Sequence, residues 1–254
     1  MSKEQTQETQ KFPTEVIDLP SGGKVYPEGS PLRSGQIELK YMTAKEEDIL
    51  TSQNLIKKGI VLDKLLTSLI VDKSINIDDL ILGDKNAVLV AARILAYGPE
   101  YVTEVTNPNT NEKHSVEFNL ADCPFKNVPD DKINSNEFSL ELPVCKANIT
   151  FKLLTGVEEK QIINELKSKK KLGGNISTEM TTRLRYCLTS VNGDSDIQTI
   201  NSFVENLLSR DSLFLRKQMT AVAPDIDMIQ EVEMEGEMVE VDIPLTIEFF
   251  WPTA

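Results

Sequence analysis

Arg210-Asp-Ser-Leu-Phe-Leu-Arg-Lys217 begins a helix, Ala223-Pro-Asp-Ile-Asp-Met228 stops it, and Val239 to Trp251 continues as an alternating strand ending Phe249-Phe250-Trp251-Pro252. The hydrophobic period changes from helical to two-residue across a proline, and Glu235-Gly236 supplies a turn between Met228–Val232 and the last strand. A helix that runs into a β-hairpin is therefore the unit to look for. The same succession lies upstream. Asp84 is read as the cap of an apolar helix, Ala87 to Ala96, which Tyr97-Gly98-Pro99 ends. Alternating runs at Tyr101–Thr106 and Ser115–Leu120 then flank the tip Asn107-Pro-Asn-Thr-Asn-Glu-Lys113.

Working outward, Gln36-Ile-Glu-Leu-Lys-Tyr41 alternates as a strand, and Thr43-Ala-Lys-Glu46 is a capping box opening a helix to about Asn54. Lys57-Lys-Gly59 breaks it, and Ile60 to Val71 carries Leu62, Leu65, Leu66, Leu69 and Ile70 on one face. A second strand pair, Phe138–Leu142 and Ala147–Leu154, precedes helices at Val157–Lys171, Ser177–Ser190, Ile197–Leu208 and Ser212–Val222. Gly173-Gly174 reads as a helix stop and Val191-Asn-Gly-Asp194 as a turn. The expected class is α+β: two helical clusters, each followed by a β-hairpin region, with a Pro/Gly-rich extended N-terminal arm. Helices-then-hairpin blocks at 43–120 and 156–250 echo one another loosely. The expected divisions are a disordered tail at 1–11, an arm and strand at 12–42, a first unit at 43–122, a linker at 123–137 and a second unit at 138–254.

Composition excludes several functions. The 254 residues hold 27 Lys and Arg against 40 Asp and Glu, a net charge of −13, which disfavours general nucleic-acid binding. The basic run Lys167–Lys171 lies where it complements a helix C-terminus. Three cysteines, Cys123, Cys145 and Cys187, have neither zinc spacing nor an even count, and are expected to be reduced thiols. Met1–Gln10 is polar and is read as neither a signal peptide nor a basic targeting arm. No apolar run approaches the roughly 20 residues of a membrane helix, so synthesis in a cytoplasm without membrane insertion is expected.

Catalytic signals are sparse. His114 is the only histidine and has no nucleophile motif nearby, so it reads as an ordinary strand residue. Asp78-Asp79 and the Asp225/Asp227 pair could bind a hard cation, but helix-start and turn chemistry account for them. Gly22-Gly23-Lys24 lacks the spacing, hydroxyl residue and helix of a phosphate loop. An enzyme working through carboxylates would need a pocket holding two strongly perturbed acids. At the chain end, Phe249 reads mainly as core, whereas Trp251 reads equally as core edge or as partner anchor.

Several segments carry a family resemblance. Phe12-Pro-Thr-Glu-Val-Ile-Asp-Leu-Pro-Ser-Gly-Gly-Lys-Val-Tyr-Pro27, Gly35–Leu50, Tyr97-Gly-Pro-Glu-Tyr101, Ser190-Val-Asn-Gly193, Ser209–Lys217, Ala223–Asp227 and the closing Phe-Phe-Trp-Pro252 occur in order. Together, over about 12–252, they resemble the baseplate-hub protein family of T-even-type contractile-tailed phages. That family includes hub subunits and catalysts of hub assembly that act by binding and release. The resemblance implies other baseplate hub proteins as partners, no cofactor, and a place in the host cytoplasm during assembly or in the virion tail. Some members pair cysteines at the two hairpin tips in a zinc-ribbon manner. Here the tips read Asn107-Pro-Asn-Thr-Asn111 and Met234-Glu-Gly-Glu-Met238, so no metal is expected. Partner-binding residues are placed on the arm, at Phe12, Leu19 and Tyr26, and on the terminal strand, at Phe250 and Trp251. Deleting 1–35 is expected to weaken partner binding with the fold largely intact.

Overall fold

The computed structural model describes residues 12–107, 110–126, 128, 133–171, 177–234 and 236–251. Strands β1 (Thr14–Asp18) and β2 (Gln36–Lys40) pair antiparallel, with Ile17 opposite Ile37. Helices α1 (Ala44–Thr51), α2 (Gln53–Lys58) and α3 (Val61–Leu69) lead to α4 (Leu82–Tyr97) and the hairpin β3 (Glu100–Thr106) and β4 (Lys113–Asn119). Strands β5 (Phe138–Glu141) and β6 (Asn148–Phe151) start the second half, followed by α5 (Gly156–Lys171) and α6 (Glu179–Cys187). A short strand β7 (Leu188–Val191) joins β6, then α7 (Ile197–Glu205), α8 (Ser209–Val222) and the hairpin β8 (Ile229–Met234) and β9 (Glu237–Asp242) complete the chain. The protein is α+β. One cluster of buried apolar side chains runs through both halves.

The arm is part of that core. Its loop, 19–35, folds over the start of α4, and Leu19, Val25, Tyr26 and Leu32 are buried. The Arg33 guanidinium donates to the carbonyls of Lys24 (2.7 Å) and Tyr26 (3.1 Å) and shapes the loop from within. Asp84 is the centre of the junction. It stands in the first turn of α4, not at its cap, because Ile81 and Leu82 start the helix earlier. Its carboxylate accepts from the Ser21 N–H (2.9 Å), the Ser21 hydroxyl (2.6 Å) and the Tyr26 hydroxyl (2.6 Å). Tyr26 in turn accepts from the Ile81 N–H at 3.2 Å. Burial pushes the Asp84 carboxyl above the usual range and raises the Tyr26 phenol as well. Deleting 1–35 would remove these four buried side chains and the donors to Asp84, so a loss of stability is expected from that cut, read as a lower urea midpoint.

The two halves repeat one plan. Each opens with a strand and a Leu-Pro pair, Leu19-Pro20 and Leu142-Pro143, with both leucines buried. Each second strand ends in the pattern Lys-x-x-Thr-x-x-Glu-Glu, at 40–47 and at 152–159. In the first, Glu46 accepts from the Thr43 N–H (3.0 Å), Lys40 Nζ (2.7 Å) and the Ser68 hydroxyl (2.7 Å). In the second, Glu158 accepts from the Thr155 N–H (2.9 Å), Lys152 Nζ (2.5 Å) and the Thr155 hydroxyl. Each last helix has an aspartate as its third residue, and each such aspartate holds the turn after the Leu-Pro pair. Asp84 takes the Ser21 N–H, and Asp211 takes the N–H groups of Val144 (2.8 Å) and Cys145 (3.0 Å). A hairpin follows each last helix. What the sequence shows as a loose echo is a repeat of element order and of specific hydrogen bonds.

Three elements differ from the periodicity. The helix expected to Asn54 breaks at Ser52, whose extended backbone separates α1 from α2. The helix expected to Ser190 ends at Cys187, where 188–191 is drawn into the β5–β6 sheet. The final strand stops at Asp242; Pro244 offers no N–H to a ladder, and Ile247–Phe250 winds into a 3-10 turn that buries Phe249 and Phe250 together. A strand would have sent those neighbours to opposite faces. The helix stop assigned to Gly173-Gly174 and the expected tail at 1–11 lie outside the described residues.

Gly83 joins the halves, since a Cβ there would sit 1.8 Å from the Pro224 carbonyl oxygen. Gly83→Ala is expected to cost at least the roughly 1–3 kcal/mol typical of overpacking, read as a lower urea midpoint. Glu46 gives a pH test. Burial alone would raise its pKa, but the Lys40 ammonium, the Thr43 and Ser68 hydroxyls and the Thr43 N–H outweigh it and hold the group at about 2, below its ordinary 4.5. A depressed folded-state value adds stability above the unfolded pKa that is lost as pH falls through the window from 4.5 to about 2. Glu46→Gln should lower stability at neutral pH and flatten the acid limb of the stability–pH curve, measured by urea unfolding at stepped pH.

Candidate partner-binding surface

The terminal aromatic segment seals the core from below α4. Phe249 lies 5.0 Å from the Tyr101 ring and 5.6 Å from that of Phe250, centroid to centroid. Arg93, buried on α4, donates from Nε to the Phe249 carbonyl (3.0 Å) and from Nη1 to the Gly98 carbonyl (3.1 Å). Its guanidinium also lies over the rings of Tyr97 and Tyr101. Burial pulls the Arg93 pKa down, since the guanidinium loses water, and the neighbouring tyrosines and Glu100 offset only part of that loss. Nothing in the helical pattern distinguishes Arg93 from a solvent-facing arginine, so sequence reasoning missed it.

Of the five residues assigned to partner binding, two reach the surface. Phe12 is exposed beneath the Lys40 ammonium, 5.5 Å from its ring centroid, and Trp251 is 48% exposed. Leu19, Tyr26 and Phe250 are buried, the first two within the loop and the third, at 1% exposure, against the Phe249 ring. Their side chains belong to the core of the free chain.

A groove of about 790 Å³ opens between α6, α8, the end of β6 and the start of α4. Leu82, Leu153, Met180, Leu184, Met219 and Pro224 give it an apolar lining. Glu179 is its one lining carboxylate, and it is paired with Arg183 Nε at 3.2 Å. Its lining does not hold the two perturbed acids that carboxylate catalysis requires. Asp78 is held by Lys160 at 2.5 Å, and Lys160 also reaches Asp63 at 3.0 Å, so the acid turn is an ion-pair network between the halves. Asp225 accepts from Asn86 Nδ2 (3.1 Å), and Asp227 accepts from the Ile229 N–H (3.1 Å). Among the described residues no group of three His, Cys, Asp or Glu side chains is placed to hold a metal ion. His114 sits on β4 opposite Val105, and its Nε2 is buried without a hydrogen-bond partner among the described residues. No described helix is long and apolar enough to cross a membrane.

These placements separate the two terminal aromatics. Phe250→Ala is expected to cost about 3–5 kcal/mol. Trp251→Ala should stay within about 0.5 kcal/mol of the parent. Urea denaturation of both variants checks the contrast.

No curated protein and no solved structure matches the chain. The family model described as T4 bacteriophage base plate protein matches residues 12–229. That span takes in the arm, both strand–helix junctions, the first hairpin, the groove and α8. The chain belongs to the T4 bacteriophage base plate protein family.

Proposed function

We propose that this protein promotes assembly of the central hub of a contractile-tail baseplate by binding hub subunits without covalent chemistry. Family membership over 12–229 carries the reading. The apolar groove and the exposed Phe12 and Trp251 support it, because they offer apolar contact area. A net charge of −13 keeps the free protein soluble and limits self-association before its partners arrive. The second reading is a hub subunit retained in the mature tail. It draws on the same family match and differs only in whether the chain leaves.

Quantitative mass spectrometry of purified phage particles, beside assembly intermediates from the same infection, separates the two. The expected result is presence in intermediates and depletion from particles. Stoichiometric copies in the finished tail would replace the assembly role with the structural one.

A further inference from the structure

The repeat allows each surface of one half to be compared with its counterpart in the other. In the first half, the turn held by Asp84 is roofed. Loop 19–35 lies over it, Ser21 and Tyr26 are buried, and Ile81, immediately before α4, is 1% exposed, held by the Tyr26 hydroxyl on one side and bridged to Thr155 on the other. In the second half the strands are joined by the short turn 142–147, and nothing equivalent to the loop exists. The turn held by Asp211 stands open: Val144, the counterpart of Ser21, is 43% exposed, and Leu208, the counterpart of Ile81, is 48% exposed. Ser212 extends this face to α6, its hydroxyl 3.9 Å from the sulfur of Met180, which is 52% exposed at the groove edge. The helices behave alike. In the first half α3 packs against α4, whereas α6 and α8 leave the groove between them.

We infer that the chain is a duplicated unit, and that the face formed by Val144, Leu208, Met180 and the adjoining groove is the docking site for an extended, Pro/Gly-rich segment of a partner baseplate protein. That segment does for the second copy what loop 19–35 does for the first. The first copy supplies the template: an aromatic residue, Tyr26, whose hydroxyl meets both the aspartate and the N–H of the residue before the helix. Charge adds a second requirement. Arg216 of α8 lines the groove and is in no ion pair among the described residues, on a chain with a large acidic surplus. The incoming segment therefore bears carboxylates next to its apolar residues. The inference rests on the reading of the protein as a binder of baseplate proteins and names the surface that does the binding.

Met180 reports directly on this face, and Met238, 63% exposed on β9, is an internal control. Hydroxyl-radical oxidation of the full chain, free and within baseplate intermediates isolated from infected cells, is followed residue by residue by mass spectrometry. Met180 should be oxidised several-fold more slowly in the intermediates, with a smaller change at Met238. Leu208→Asp and Val144→Lys should cut recovery of the chain in intermediates, while Val16→Asp on exposed β1 should not; circular dichroism confirms that each variant is folded. Equal oxidation of Met180 in free and bound chain, or normal recovery of folded Leu208→Asp, overturns the site. Protection that grows with the concentration of the free chain makes the occupant a second copy and overturns the partner segment. Absence of the wild-type chain from every intermediate removes the baseplate-binding reading, and this inference with it.

Discussion

One buried carboxylate sets the geometry of the first half. Among the described residues no cation pairs with Asp84; a backbone N–H and two hydroxyls from the loop stand in for water. A buried acid is tolerable only when its lone pairs are filled, so the loop and the helix start must meet in one arrangement. That arrangement places Ile81 and Gly83, and Gly83 in turn lies against Pro224 and Asp225 of the other half. A hydrogen-bonded acid at one helix terminus thus fixes how the halves approach. Asp211 repeats the device with two backbone donors, which hold its pKa below the usual range despite burial.

Much of the architecture was legible because local signals agreed with it. The Thr43–Glu46 box, the hairpin around Asn107–Lys113 and the Val191–Asp194 turn each depend on residues adjacent in sequence. Positions decided by distant contacts were not. Residues 188–191 have helical spacing, but β6 needed a partner for its open edge and took them. Phe249 and Phe250 read as strand because aromatics favour strands; Pro244 and the space beside Arg93 wind them instead.

The candidate site was less legible, for a reason of the same kind. Aromatic and apolar residues on a Pro/Gly-rich arm look available for contact, and in isolation Leu19 and Tyr26 are. They are consumed by α4, which the sequence gives no means of placing over them. Conversely, Val144, Leu208 and Met180 look like ordinary core residues at helical or turn positions. Their exposure follows from a loop that the second half does not have, a difference visible only when the halves are compared.

The seal made by Arg93 also bears on the order of synthesis. Its Nε partner, the Phe249 carbonyl, is translated long after α4, and Tyr101 waits for the same segment. Until Phe249 leaves the ribosome, a buried-to-be guanidinium and an aromatic face stand open to water. The first half can form its helices and hairpin early, but it cannot close. Closure of the core thereby waits for this segment, so a product truncated before Phe249 keeps an unclosed core with its apolar surface exposed.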